Sequence, residues 1–490
     1  MTPLIFQKTV VLPRPTDDDR RAFDERVSSA IGLAPLLIPL SLLRRIPRVP
    51  ASDAPLTCTI ARTGNTFRLV DLGRKRSFSV ALDIGTTNLV ALLCDNLTGD
   101  DVILRSEENP QISYGSDILT RMHHVLTGKG EELSRALLRG VNGLVARLCG
   151  DAGIDPLEVH GLAVAGNTVM THFFLGLDSS TIPVAPFTPV VRTPGFVTAA
   201  EAGVNLCPEA PVFVFPNAGS YVGGDITAGI IATGMDRAER VALLVDVGTN
   251  AEVVIGNRDW MIVGAGAAGP ALEEGISRAG KRARRGIVYD VEIRNGHLVC
   301  RTFDNAPPEG ICGSGMVSLL YEMHRTGLID QTGVLAESGF VETRDGERRF
   351  ILSGSGPDAL AITQSEIQNF LRSKAAMFTL LLTLTRSLGL SFRDISAVHV
   401  SGALGTGIDV RKAVGIGMLP DWPTEIVHGR GNTSLAGCRK LLSDASVAAQ
   451  ADALIGRITY KHMHDDPEFM KEFLGAVFIP HTDPGLLTVR

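Results

Sequence analysis

The strongest constraint on the fold of this chain is a short pattern that occurs twice: an apolar run, then Asp, an aliphatic residue, Gly and Thr. The first copy contains Asp83 and the second contains Asp246, 163 residues further along the 490-residue chain. In each copy the chain returns through another apolar run, which is typical of a β-hairpin. A repeat of this length indicates two related domains rather than a stack of short units. The sequence therefore predicts a duplicated α/β core.

The turns of the two hairpins have the composition of an anion site. Glycine permits a tight turn and a close approach of the backbone to a ligand. Successive backbone N–H groups, together with threonine and asparagine side chains, can form a concave site for phosphate. We predict that these turn residues bind a nucleotide: Gly85, Thr86, Thr87 and Asn88 in the first copy, and Gly248, Thr249 and Asn250 in the second.

An aspartate stands at the end of the first strand in both hairpins. A carboxylate repels phosphate, so Asp83 and Asp246 fit beside a triphosphate only with a cation between the charges. Mg²⁺ held mainly through its water ligands is the expected ion. We predict that the two hairpins hold ATP from both sides, with Asp83 and Asp246 as catalytic and metal-linked acids. The alternative, two ordinary hairpins with Gly-Thr turns, stays open.

Other segments carry glycines or charges that suit a nucleotide. They are a glycine-rich turn leading into a helix, a helix start, a helical lysine and a strand-to-helix turn: Gly269 and Glu273, Gly313 and Ser314, Lys374, and Gly402 and Gly405. Each has a plainer alternative. The glycines can serve turns and helix ends alone, and the lysine can be a solvated side chain on its helix.

Several common kinds of site are missing from the sequence. No G-x-x-x-x-G-K-[ST] segment marks a P-loop, and no G-x-S-x-G segment marks a hydrolase nucleophile. Residues 264–269 match G-x-G-x-x-G, but Pro270 follows directly and the preceding strand belongs to a hairpin, which disfavours a dinucleotide site. The histidine pairs at 123–124 and at 462 and 464 lack a third metal ligand nearby. No two of the seven cysteines form a C-x-x-C pair, so no iron–sulfur cluster is expected.

The composition is that of a globular protein, with 44% hydrophobic residues, 20% charged residues and a net charge of −6. Only short basic runs occur, which disfavours nucleic-acid binding. The first residues lack the pattern of a signal peptide, and the apolar stretch 35–43 is too short to span a bilayer. We therefore expect a cytoplasmic protein without membrane contact.

The chain divides into three predicted parts. They are an N-terminal module over residues 1–76, a first lobe over 77–240, and a second lobe with the C-terminal segment over 241–490. Local patterns predict the following elements: a helix from Asp17 to Ala30 with Thr16 as its cap, a strand-like stretch from Leu56 to Val70, a helix opened by Asn167 or Thr168, a helix from Ser365 to Leu388 and a strand from Ala397 to Ser401.

Longer segments carry a resemblance to a known family. They are NPQISYGSDILTR (109–121), VAGNTVMTHFFLG (164–176), VAPFTPV (184–190), LLVDVGTNAEVVIGN (243–257), AAGPALEEG (267–275), GICGSGM (310–316), ITQSEIQNFLRSKAA (362–376) and GNTSLAGC (431–438). With the two hairpins and the S-G-A-L-G segment at 401–405, they resemble the reductive activators of corrinoid proteins, within the actin/Hsp70/sugar-kinase superfamily. The resemblance runs from about residue 77 to about residue 480. It implies an α/β fold: a two-lobed, duplicated RNase H-like ATPase core behind a small N-terminal α/β module.

The resemblance also implies a function. ATP would bind between the lobes, and its hydrolysis would drive an electron onto the Co(II) state of a corrinoid protein, giving the Co(I) nucleophile that accepts methyl groups. A homodimer is implied, with the segment before residue 77 similar to linker and dimerisation modules. Family members commonly carry an iron–sulfur ferredoxin domain. This sequence has no group of cysteines that could bind the cluster, so we expect a separate electron donor. Smaller departures from the family pattern are Leu272, Glu274, Ala403 and Leu404.

Two other functions on this fold stay open. One is a chaperone-like ATPase that remodels a corrinoid protein or another metalloprotein without a redox role. The other is a small-molecule kinase, which needs a general base beside the acceptor hydroxyl. Asp225 is the best carboxylate for that role and Asp117 is another, although Asp225 could instead cap a helix or complete the Mg²⁺ shell.

Overall fold

A computed structural model describes most of the chain: residues 2–12, 15–48, 55–115, 117–220, 222–247, 251–266, 279–281, 284–356, 358–402, 408–461 and 468–489. The chain forms two compact units, Met1–Ala232 with Thr433–Arg457, and Thr233–Asn432 with Ile458–Arg490. Among the described residues, no helix combines the length and the apolar character needed to cross a membrane.

The N-terminal module belongs to the first unit and is a four-stranded sheet with one main helix. Its strands and helices are β1 (Ile5–Val10), α1 (Phe23–Ile31), β2 (Leu36–Leu37), α2 (Leu40–Leu43), β3 (Leu56–Thr63) and β4 (Thr66–Leu72). The strand order is β1-β3-β4-β2. Val27 and Ile31 of α1 share a buried cluster with Ile60 and Leu69 of the sheet, so the amphipathic helix closes a small core of its own.

Two predictions for this module need correction. The helix begins at Phe23 rather than near Asp17, because Asp19 accepts hydrogen bonds from the Arg26 guanidinium (Nη1 to Oδ2, 2.9 Å) and from the backbone of a turn at Thr16. The Ala22 N–H instead donates to Glu25, which closes the first helical turn. The predicted stretch from Leu56 onward is a hairpin of β3 and β4, which reverses at Gly64 (φ 65°).

The rest of the first unit is a six-stranded sheet with helices packed on it. Its elements are β5 (Phe78–Ile84), β6 (Asn88–Asp95), β7 (Asp101–Glu108), α3 (Ile118–His124), α4 (Gly130–Ala152), β8 (Val159–Gly166), α5 (Thr168–Leu175), β9 (Gly195–Thr198), α6 (Ala199–Ala202), β10 (Pro211–Val214) and α7 (Gly224–Thr233). The strand order is β7-β6-β5-β8-β10-β9, with β5 antiparallel to β6 and parallel to β8. Every residue of β8 is buried, as expected for a strand covered on both faces.

The second unit contains another six-stranded sheet and two three-stranded sheets. Its elements are β11 (Ala242–Val247), β12 (Ala251–Gly256), β13 (Met261–Gly266), β14 (Ile287–Arg294), β15 (His297–Thr302), β16 (Gly310–Ile311), α8 (Gly313–Arg325), β17 (Val341–Arg344), β18 (Glu347–Ser353), β19 (Leu360–Thr363), α9 (Gln364–Ser387), β20 (Ala397–Gly402), α10 (Val410–Gly415), β21 (Val427–Gly431), β22 (Ile458–Tyr460) and α13 (Phe469–Ala476). Between β21 and β22 the chain forms α11 (Thr433–Ser443) and α12 (Ser446–Ile455). The large sheet has the order β21-β20-β11-β12-β13-β22. A capping box of Thr363 and Glu366 opens the 24-residue helix α9, which packs on β12 and β13.

The helices α11 and α12 leave the second unit and pack in the first. The sequence predicts that all residues after 240 belong to the second lobe, but α11 packs on β5 and β8 of the first unit. Gly437 permits this approach, because a Cβ atom there would lie 2.3 Å from the Ala228 carbonyl oxygen of α7. The first unit is thus completed by residues that are distant in sequence.

The predicted duplication is visible in the strand orders. The order β7-β6-β5-β8-β10 of the first unit recurs as β13-β12-β11-β20-β21 in the second. In both units the first strand of the hairpin is antiparallel to the next strand in sequence and parallel to a strand that follows a long helix. The helices Thr168–Leu175, with Asn167 as cap, and Gln364–Ser387 also lie where they were predicted.

Candidate active site

The first hairpin places Asp83 one residue before the end of β5, half-buried. Its Oδ1 atom accepts a hydrogen bond from the Ser434 hydroxyl of α11 at 2.7 Å. The turn that follows requires glycine, because a Cβ atom on Gly85 would lie 2.7 Å from the Asn88 carbonyl oxygen. The predicted tight turn beside an acid is therefore present in the first unit.

Two asparagines hold this turn from outside the hairpin. The side chain of the fully buried Asn109 donates to the Gly85 carbonyl oxygen at 2.9 Å, and its backbone N–H donates to the Thr87 carbonyl oxygen at 2.8 Å. Asn167, which caps α5, also donates to the Thr86 hydroxyl at 3.2 Å. Hydrogen bonds of this kind fix a loop in one conformation, as a preformed ligand site requires.

Two further glycines allow backbone segments to crowd around the turn. A Cβ atom on Gly166, at the end of β8, would lie 2.7 Å from the Ile84 carbonyl oxygen. A Cβ atom on Gly223 would lie 2.4 Å from the Asn167 backbone. These positions tolerate only glycine without a shift of the backbone, and they let β8 approach the end of β5 and the start of α7 approach Asn167.

The second hairpin places Asp246 in the same way, one residue before the end of β11 and half-buried. Asp246 is in register with Ser401 of β20, whose hydroxyl donates to its Oδ2 atom at 2.9 Å. Gly402 has φ 72°, and a Cβ atom there would lie 2.5 Å from the Asp246 Oδ1 atom and 2.4 Å from the Val247 carbonyl oxygen. Glycine is therefore required at Gly402 on both conformational and steric grounds.

Some of the residues predicted to bind the nucleotide lie outside the described part of the chain: Gly248, Thr249, Asn250, Gly269, Glu273 and Gly405. Of the others, Gly313 and Ser314 form the first turn of α8, and Ser314 is almost fully buried with its hydroxyl 3.2 Å from the Cys312 sulfur. The N-terminus of this helix carries the partial positive charge that suits a phosphate.

Lys374 occupies a different environment from the one expected. The side chain is fully buried in α9, so it is not a solvated lysine. Its ammonium group donates to the carbonyl oxygens of Ala476, Phe478 and Pro480 at 2.5, 2.6 and 2.7 Å. A lysine has three donors, and all three are used within the protein, so we leave Lys374 out of the proposed nucleotide site.

The two carboxylates considered as a kinase base have structural roles. Asp117 caps α3, accepting from the Thr120 N–H at 2.8 Å and from the Thr120 hydroxyl at 2.7 Å. Burial raises the pKa of Asp117, but the hydrogen bonds from Thr120 outweigh it and hold the pKa below its usual value, which weakens the group as a base. Asp225 lies in the first turn of α7, where a negative charge is favourable, and accepts from the Ile226 N–H at 2.8 Å.

A polar cavity of about 640 Å³ lies in the second unit, beside the C-terminal half of α8, the end of β14 and the first turn of α10. On one side Tyr321 packs on Gly415, where a Cβ atom would lie 2.4 Å from the tyrosine ring. On another side the Lys412 ammonium donates to Asp290 and to Ser318, at 2.6 Å each. The cavity is lined by Asp290, Glu292, Ile293, Arg294, Asn295, Arg301, Tyr321, Glu322, Arg325, Asp409, Arg411 and Lys412.

The side chains at the hairpins fit a nucleotide with Mg²⁺. Each hairpin presents a carboxylate, the oxygen ligand that Mg²⁺ prefers, and next to it lies a glycine whose missing Cβ atom lets the backbone pack closely. Within the described ranges no three His, Cys, Asp or Glu side chains cluster closely enough to hold a metal directly. An ion at Asp83 or Asp246 would therefore keep several of its waters.

Comparison with known proteins identifies the family. The description "RACo middle region" matches residues 78–238, and "C-terminal domain of RACo the ASKHA domain" matches residues 240–489. The solved structure of a reductive activator for corrinoid, iron-sulfur protein is 33% identical and superposes with a TM-score of 0.93, over 99% of this chain and 80% of that one. The chain belongs to the RACo family. The predicted family and the duplicated α/β fold are thereby confirmed.

Two curated proteins are related to this RACo-family chain over most of its length. Corrinoid activation enzyme RamQ of Eubacterium limosum is 28% identical over 418 residues, which are 82% of this chain and 70% of RamQ. The [Co(II) methylated amine-specific corrinoid protein] reductase of Methanosarcina barkeri is 24% identical over 421 residues, which are 79% of this chain and 74% of the reductase. Both names concern the activation or reduction of a corrinoid protein.

Proposed function

We propose that this RACo-family chain is an ATP-dependent activator of a corrinoid protein. In this proposal ATP binding and hydrolysis are coupled to the reduction of Co(II) to Co(I), with one electron supplied by a separate donor. The observation that carries the proposal is the relationship, over about four-fifths of the chain, to two proteins named for corrinoid activation and corrinoid reduction. The corrinoid protein is the expected partner, and we expect the chain to act as a homodimer.

The hairpins are the proposed phosphate-binding elements. The turn at Gly85 is fixed by Asn109 and Asn167, so its backbone is already ordered before a ligand arrives. Preordered donors cost little to align when charge develops on the phosphate. Bound Mg²⁺ would neutralise charge on the phosphate oxygens. Asp83 and Asp246 would orient the ion's water ligands, and Gly313, Ser314 and Gly402 would lie near the nucleotide.

The cavity beside α8 is the proposed seat of the base and ribose. An aromatic ring and arginine guanidinium groups both stack on flat bases, and Tyr321, Arg325 and Arg411 line this cavity. The first turn of α10 in the cavity wall begins eight residues after Gly402 in sequence. Tyr321→Ala should therefore raise the KM for ATP about tenfold with kcat nearly unchanged, the signature of lost ground-state binding. Tyr321→Phe keeps the ring and is the matched control.

The direct test of the proposed function is spectroscopic. The purified chain is mixed with a Co(II) corrinoid protein, a reductant, Mg²⁺ and ATP, and the appearance of Co(I) is followed by absorbance. We expect Co(I) to form only with hydrolysable ATP and not with the Asp83→Asn variant. ATP-dependent binding of the partner with unchanged cobalt would indicate the chaperone-like function instead. Phosphorylation of a metabolite without any effect of a corrinoid protein would indicate a kinase.

A further inference from the structure

The helix α11, which follows β21, carries a serine that contacts the first hairpin. Ser434 lies in the first turn of α11, is 4% exposed, and is 351 residues from Asp83 in sequence. Its hydroxyl must be the donor in their 2.7 Å hydrogen bond, because an ionised carboxylate can only accept. One turn further along the helix, the Cys438 thiol is directed at the Leu82 carbonyl oxygen at 3.6 Å. One face of α11 therefore runs along the end of β5.

The helix that carries Ser434 is fixed in place. Gly437 lies against the backbone of α7, so any larger side chain would push the helix away. Lys440 donates to the Ile231 carbonyl oxygen at 2.7 Å, and Arg439 forms an ion pair with Asp101. The Ser434 hydroxyl is consequently held at a defined point relative to β5, rather than on a mobile surface turn.

We propose that Ser434 is a positioning residue for ATP hydrolysis, acting through Asp83. This inference rests on the proposed function, in which Asp83 orients the water ligands of Mg²⁺. A carboxylate at a strand end can rotate among several side-chain conformers, and a hydrogen bond from a fixed donor selects one of them. Loss of that bond would leave Asp83 charged but misdirected, and small misplacements in an active site are costly to the rate.

The test uses Ser434→Ala and measures ATP turnover against both ATP and Mg²⁺ concentration. We expect kcat to fall about tenfold, the KM for ATP to change less than about twofold, and the Mg²⁺ concentration for half-maximal turnover to rise about tenfold. Ser434→Thr retains the hydroxyl and should recover most of the loss. The matched control is Cys438→Ala, which alters the packing of the same helix face on β5 and keeps the Ser434 hydroxyl. It should keep the wild-type Mg²⁺ dependence.

Each outcome separates this inference from the proposed function. If Ser434→Ala keeps the wild-type turnover and Mg²⁺ dependence while Asp83→Asn is inactive, the positioning role is wrong and the proposed function stands. If Ser434→Ala and Cys438→Ala lose turnover equally, with equal losses in thermal stability, Ser434 acts only through packing and the inference is again wrong. If Asp83→Asn hydrolyses ATP as fast as the wild type, the proposed site itself fails.

Discussion

The two units of the molecule build the same hairpin with different supports. In each, the acid is the penultimate residue of the first strand, and the neighbouring parallel strand ends in a glycine: Asp83 and Gly166 in the first unit, Asp246 and Gly402 in the second. In each, a buried serine hydroxyl donates to the acid. The shared parts follow from the shared strand order, since the same backbone places the same positions at the same edge.

The difference lies in the origin of that serine. Ser401 stands in register with Asp246 on the adjacent strand, so the sheet alone brings the two together. The residue in register with Asp83 is Ala165, which has no hydroxyl, and the donor comes instead from α11. A duplicated framework can thus preserve an interaction while a remote segment supplies it in one copy. We expect the first hairpin to depend on α11, whereas the second is supported by the neighbouring strand of its own sheet.

Substitution of either acid should affect catalysis more strongly than any other change, and equally in the two units. Asp83→Asn and Asp246→Asn should each lower ATP turnover by about 10²–10³-fold, because each would remove a charge beside the proposed position of the reacting phosphates. Melting temperatures close to the wild-type value would verify that the fold is intact. Full activity in both variants would refute the placement of the cation beside these acids.

Replacing a glycine beside each acid with alanine should destabilise the two units by different amounts. Gly402→Ala should destabilise the protein by about 3 kcal/mol, because Gly402 has a positive φ and its added Cβ would meet two oxygen atoms. Gly85→Ala meets one backbone oxygen, at 2.7 Å, and its cost should be smaller, about 1 kcal/mol. Denaturant unfolding of the two variants checks this order, and a larger loss for Gly85→Ala would reverse it.

A smaller effect should be confined to the first unit. Asn109→Ala leaves the Gly85 carbonyl oxygen without its buried donor and should cost about 1–2 kcal/mol, together with a loss of ATP affinity. Asn142→Ala removes a similar hydrogen bond, to the Gly203 carbonyl oxygen at 3.0 Å, in an exposed setting and is the control. Equal losses of stability in the two variants would show that the buried hydrogen bond of Asn109 contributes no more to stability than the exposed hydrogen bond of Asn142.

The last effect depends on pH and concerns the long helix of the second unit. Burial lowers the pKa of Lys374 to about 7, whereas a lysine in the unfolded chain has a pKa of about 10.4. Between these values the unfolded state binds more protons, so the contribution of Lys374 makes the free energy of unfolding rise with pH. The curve for the wild type should gain on that for Lys374→Met by about 1 kcal/mol per pH unit between pH 7 and 10. Parallel curves would mean that the three carbonyl groups keep the ammonium charged throughout.

The hairpins could be predicted from sequence because their information is local. An apolar run, an acid and a glycine lie within seven residues, and the N-cap at Asn167 or the capping box at Thr363 is equally compact. Ser434 could not be found in this way, because its partner is 351 residues distant and a serine in a helix start is unremarkable by itself. The burial of Lys374 was missed for the same reason, since its acceptors belong to the C-terminal segment.

The number of ATP molecules bound per chain distinguishes one nucleotide site from two. Calorimetric titration of the wild-type chain with ATP and Mg²⁺ should give one nucleotide per chain, and the affinity should fall in both Asp83→Asn and Asp246→Asn. Two nucleotides per chain, with each variant losing one and keeping the other at full affinity, would contradict the prediction from the sequence that both hairpins hold one nucleotide.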